Sequence, residues 1–204
     1  MNPTSSIGNA RHAASASGDY PVLGATSSAQ PSPNGAVRLW PSPNAGSGAG
    51  RPATTTGTRI DLETSRKVVL YAEDQPDCAF LFRRAYERTG LADQLHIVAD
   101  GAQAIAYLTG ERQYADRARH PLPDVVFLDI QMPLVTGFEV LQWMKRTPRI
   151  ARIPVYLISL VLRHADETAA KKLGASGSFV KPVSLAALSE LILQVRAGLP
   201  VKSS

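Results

Sequence analysis

From Lys67 onward, short apolar runs alternate with amphipathic stretches. Val68–Ala72 is apolar without polar alternation, the pattern of a strand covered on both faces. Leu95–Ala99, Val125–Leu128, Val155–Ile158 and Phe179–Val180 read as four further strands, with Pro154 permitting the start of the fourth. Pro76 and Asp77 predict a helix start, and Gly90 a stop after Thr89. Asp100-Gly101 turns into a short helix with Ala104, Ile105 and Leu108 on its apolar side and Gly110 as its end. A third helix over 137–146 carries Phe138, Leu141 and Met144 toward the core; a fourth runs over 165–173 to Gly174. Ser184 is placed to cap a last helix striped by Leu188, Leu191, Ile192 and Val195. The polar stretch 111–123, with Pro121 and Pro123, reads as a loop. Strand–helix alternation implies right-handed crossovers and a five-stranded parallel sheet with helices on both faces.

Upstream of this domain, residues 1–66 are rich in Ser, Ala, Gly, Pro, Thr and Asn. Such a composition buries too little apolar surface to offset ordering entropy, so a disordered tail is expected before a folded domain over 67–200. Pro31-Ser32-Pro33-Asn34 recurs as Pro41-Ser42-Pro43-Asn44 around Val37-Arg38-Leu39-Trp40. The Pro-rich flanks favour extended backbone, and the whole reads as low-complexity linker.

The net charge of +5 is scattered rather than clustered, which argues against a nucleic-acid footprint and a DNA-binding domain. A single cysteine, Cys78, excludes an intramolecular disulfide and suits a reducing, cytoplasmic setting. At the start of a helix it reads as a small buried apolar residue rather than a nucleophile. No apolar stretch reaches membrane-spanning length, and the N-terminus lacks a signal-peptide core.

The chemistry lies where the strands end. Glu73-Asp74, Asp129, Ser159 and Lys181 follow the first, third, fourth and fifth apolar runs. Open α/β sheets bind ligands at that carboxyl edge. Alone, each residue would pass as a cap or a solvated turn. Together, three carboxylates, a hydroxyl and an ammonium describe a Mg²⁺ site built to bind a phosphoryl group, with Asp129 as acceptor.

Four blocks, 68–76, 124–137, 154–159 and 174–183, resemble the signature blocks of the response-regulator receiver domain, and the likeness spans about 67–199. The Leu128-Asp129…Met132-Pro133 and Val180-Lys181-Pro182 blocks carry most of it. Tyr114-Ala115-Asp116 and the helix at Gly137-Phe138-Glu139-Val140-Leu141 are similar to stand-alone receivers that accompany bacteriophytochrome-type kinases. The resemblance implies a doubly wound sheet of strand order 2-1-3-4-5. It implies that Asp129 accepts phosphate from a sensor histidine kinase or a histidine phosphotransfer protein. Asp74 would bind Mg²⁺ directly, Glu73 through water, and the Gln131 carbonyl would be a further ligand. Ser159 would hydrogen-bond the phosphoryl group and Lys181 would pair with it. The output would be altered binding to a separate protein or to a second copy, and the only turnover would be self-phosphorylation and autodephosphorylation. A phosphorylation-independent docking module is the alternative.

Two positions depart from the pattern. Leu160 stands where a small residue usually follows the switch hydroxyl. Ser178 stands where an aromatic is usual, with Phe179 one residue later and expected in the core. Two other classes fit less well. An aspartyl-phosphate phosphatase would need an acid at Gln131, and a flavodoxin-like carrier would need a hydroxyl- and Gly-rich loop in place of Glu73-Asp74-Gln75-Pro76.

Overall fold

The computed structural model describes residues 66–199 together with the pair Arg38–Leu39. The expected disordered tail otherwise lies outside the described residues. Five parallel strands form the centre: β1 Val68–Ala72, β2 Gln94–Val98, β3 Val125–Asp129, β4 Val155–Ser159 and β5 Gly177–Val180. Their order is 2-1-3-4-5, as the resemblance implied. Between and after them lie α1 Pro76–Arg88, α2 Gly101–Thr109, α3 Gly137–Arg146, α4 His164–Lys172 and α5 Leu185–Ala197. The sequence reading did not foresee one further strand. Arg38–Leu39 pairs antiparallel with β5 along the outer edge of the sheet, opposite Ser178 and Gly177.

The helix ends follow local chemistry. Asp100 and Ser184 cap α2 and α5, accepting from the N–H groups of Gln103 and Ala187. Gly110 ends α2 at φ 77°, in the left-handed region that costs glycine little. Thr136 and Glu139 form a reciprocal capping box at α3.

Strand alternation divides the core in two. Leu70, Ala72, Val126, Leu128, Val155 and Leu157 face α2, α3 and α4. Val69, Tyr71, Val125, Phe127, Tyr156 and Ile158 face α1 and α5. On the second face a run of rings crosses the sheet: Tyr71 stacks on Phe82, Phe82 meets Phe127 edge-on, and Phe127, Tyr156 and Phe179 continue to β5. Phe179 is therefore a core residue, as its register predicts.

Two long-range anchors were not legible in the apolar pattern. Arg117 folds the loop 111–123 back onto α2, donating to the carbonyls of Tyr107 (2.7 Å), Leu108 (2.8 Å) and His120 (3.1 Å). It thereby satisfies carbonyls that the end of α2 leaves open. Asp93 joins three elements at once. It accepts from the Lys67 N–H (2.8 Å), the Tyr86 hydroxyl (2.7 Å) and the Arg196 guanidinium (2.7 Å). The Asp93–Arg196 pair is buried, and removing one partner of such a pair strands the other charge. Asp93→Ala should therefore lower stability by about 3–5 kcal/mol; urea unfolding followed by circular dichroism checks this.

Candidate functional site

The carboxyl ends of β1, β3, β4 and β5 bring the expected residues to one edge. Asp129 and Ser159 are the last residues of β3 and β4. Glu73 and Asp74 follow β1, and Lys181 follows β5. Parallel register levels these ends: Ala72 lies opposite Leu128, Asp129 opposite Ile158, and Ser159 opposite Val180.

Lys181 is the junction. Its Nζ lies 2.6 Å from Glu73 Oε2 and 2.7 Å from Asp129 Oδ1. All three residues are buried. Burial alone would lower the Lys181 pKa, but hydrogen bonds and charge from the two carboxylates raise it above its ordinary value. Burial pushes the Asp129 carboxyl up; the Lys181 ammonium and the Gln131 N–H oppose this, while Glu73 adds to it. The second Asp129 oxygen accepts from the Gln131 N–H at 2.8 Å. The Tyr71 hydroxyl donates to Glu73 Oε2, and the Gln75 N–H to Glu73 Oε1 at 3.3 Å.

Glu73, Asp74 and Asp129 each present a carboxylate oxygen within 4.8 Å of the others. Asp74 Oδ1 is buried and has no hydrogen-bond partner. A buried carboxylate oxygen left open beside two more acids fits a hard divalent cation, which prefers oxygen ligands. The cluster could hold a metal ion.

The loop after Asp129 is fitted over this edge by two glycines. A Cβ at Gly137 would lie 2.2 Å from the Asp129 carbonyl oxygen, and one at Gly101 2.2 Å from that of Val135. Between them Leu134 takes φ 65°, an uncommon conformation for a branched side chain, and is almost fully exposed.

On the α1–α5 side of Lys181 a cavity of about 250 Å³ is lined by Tyr71, Cys78, Leu81, Leu160, Pro182 and Val183, among others. Leu160 lines this cavity and is 54% exposed, so it is not packed among the carboxylates. Cys78 also lines it, rather than being fully buried as the sequence suggested. Burial raises its thiol pKa despite the nearby Lys181.

A doubly wound sheet with its polar chemistry at the carboxyl edge places the chain among flavodoxin-like α/β domains. Within that class, residues 69–193 match the family model of the response regulator receiver domain, and the chain belongs to that family. A probable methanogenesis regulatory protein, FilR2, of Methanothrix harundinacea is 30% identical over 129 residues, covering 63% of this chain and 81% of its own. Response regulator Rcp1 of Synechocystis is 28% identical, covering 65% and 88% respectively. Among solved structures, response regulator RPA3017 in red light signalling of R. palustris superposes with a TM-score of 0.61 at 27% identity, covering 67% of this chain and 99% of its own. The Mn²⁺-bound form of Rcp1 gives a TM-score of 0.59 at 25% identity, covering 67% and 99%.

Glu73, Asp74, Asp129, Ser159 and Lys181 all stand at this edge. The Tyr71 hydroxyl was missed, because an apolar run offers no cue that one of its rings turns a polar tip to the carboxylate just past the end of its own strand. Tyr71→Phe removes a donor to a buried carboxylate and should cost about 1.5–3 kcal/mol. Thermal and urea unfolding would show it, with the fold otherwise intact.

Proposed function

We propose that this chain is the phosphoacceptor of a two-component phosphorelay, and that Asp129 carries the phosphoryl group. The observation that supports this most is the buried junction of Lys181 with Glu73 and Asp129, beside the open oxygen of Asp74. It sets a nucleophilic carboxylate next to a fixed positive charge and a candidate cation site. Phosphoryl transfer is governed chiefly by positioning and charge neutralisation, and both are supplied here.

In the proposed reaction an Asp129 oxygen attacks phosphorus in a phosphohistidine of a sensor kinase or histidine phosphotransfer protein. The P–O bond forms, the P–N bond breaks, and the imidazole nitrogen leaves with the bonding pair. Lys181 answers charge on the phosphoryl oxygens, and the Ser159 hydroxyl donates to one of them. The Gln131 N–H holds the acceptor carboxylate in place. Asp74 and Asp129, with Glu73 through water and the Gln131 carbonyl, would hold Mg²⁺. When bound, that ion neutralises the carboxylate cluster and the incoming phosphoryl oxygens. The mark then changes affinity for a separate protein or a second copy. The chain acts on no foreign substrate, and its proposed setting is the cytoplasm. Among the described residues no helix is long and apolar enough to cross a membrane. The structure of a phosphorylated cyanobacterial phytochrome response regulator, RcpA, at 27% identity, lends the reading support by likeness.

Intact-mass measurement after incubation with Mg²⁺ and a small phosphodonor tests the reading. One phosphoryl adduct is expected on the full chain and none on Asp129→Asn. Label that persists in that variant would end the assignment. Separately, Asp74→Asn should lose most Mg²⁺ affinity in a calorimetric titration. Affinity equal to the unmodified protein would remove Asp74 from the cation site.

A further inference from the structure

The outer edge of β5 is the one place where the described residues bring a segment of the N-terminal tail onto the domain. Arg38 lies opposite Ser178, and Leu39 opposite Gly177, in antiparallel register. The backbone polarity of β5 explains why a strand fits there. The Ser176 N–H donates inward to the Val155 carbonyl of β4 at 2.7 Å. Peptide groups alternate sides along a strand, so those of Gly177 and Phe179 turn outward. Left bare, such an edge is a template for strand addition.

The sequence around Arg38–Leu39 suits a short insert of this kind. Identical Pro-Ser-Pro-Asn blocks stand on either side, at 31–34 and 41–44. Proline has no N–H to donate to a ladder, so each block limits how far pairing can spread. The tether also has the right reach. By length alone, a segment of the size of 40–66 can reach at most about 3.3 Å per residue. Three strand spacings separate β1 from β5, roughly 14 Å, a gap well within that reach.

We propose that Arg38–Leu39 is a tethered edge strand that covers β5 in cis, so that an extended segment of a second copy reaches this edge only by displacing it. The function of the tail is then to guard one edge of the sheet, apart from phosphoryl chemistry at the carboxyl ends. The device depends on backbone hydrogen bonds and on chain connectivity.

Amide hydrogen exchange on the full-length chain tests this. Leu39→Pro removes the N–H of the residue opposite Gly177, and Leu39→Ala keeps it. Leu39→Pro should speed exchange at the Gly177 and Phe179 amides by about tenfold or more, as expected of local opening without global unfolding. Leu39→Ala, and a control Ala29→Pro, should leave those amides near their original rates. A synthetic peptide of residues 31–44 should bind the Leu39→Pro chain and protect Gly177, and should not bind the unmodified chain. Unchanged exchange in Leu39→Pro would overturn the proposal. So would protection that falls on dilution alongside loss of a dimer in light scattering, because the strand would then come from another copy.

Discussion

Lys181 holds the carboxyl edge together, because two buried carboxylates from different strands converge on its ammonium. Burial pushes the Asp129 carboxyl up, and the Lys181 ammonium opposes that shift. Burial alone would lower the lysine's pKa; hydrogen bonds and charge from the two acids raise it instead. The ends of β1, β3 and β5 are thus coupled electrostatically as well as through the sheet ladder. Removing any one of the three charges changes the electrostatics of the other two.

This coupling explains why the surrounding structure is so constrained. Tyr71 fixes Glu73 from the core side, and the Gln131 N–H fixes Asp129 from the loop side. The loop after Asp129 lies close against the strand end only because residues 101 and 137 have no side chains. The buried Asp74 Oδ1 is the group left without a partner. The three clustered carboxylates could hold a metal ion here.

On the other side of Lys181 the surface turns apolar. Leu160, Val161 and Val183 are exposed on the loops after β4 and β5, and exposed Leu185 opens α5. Those loops carry Ser159 and Lys181 at their roots. Movement of either root residue would therefore reshape an apolar surface. Leu160 belongs to this surface rather than to the acidic site.

Much of this was legible in the sequence because it depends on local periodicity. Strands buried on both faces are apolar throughout, and helices carry stripes, caps and glycine stops. Parallel connection then puts successive strand ends on one edge, so Glu73, Asp74, Asp129, Ser159 and Lys181 could be gathered without coordinates. Even the inward turn of Phe179 follows from two-residue alternation. Other features depended on pairings between residues far apart in the chain, which no local pattern encodes. Asp93 meets Arg196 across most of the domain; the shorter-range contacts of Arg117 with the end of α2 and of the Tyr71 hydroxyl with Glu73 depend on side-chain direction, which periodicity does not encode either. Arg38–Leu39 sits in a stretch whose composition reads as linker, and its place beside β5 exists only because the folded sheet offers an edge. The sequence by itself determined which residues line the carboxyl edge. Tertiary structure decided which charges touch, which oxygen stays open and which edge the tail can cover, since these turn on distances of a few ångströms between segments that periodicity treats as independent.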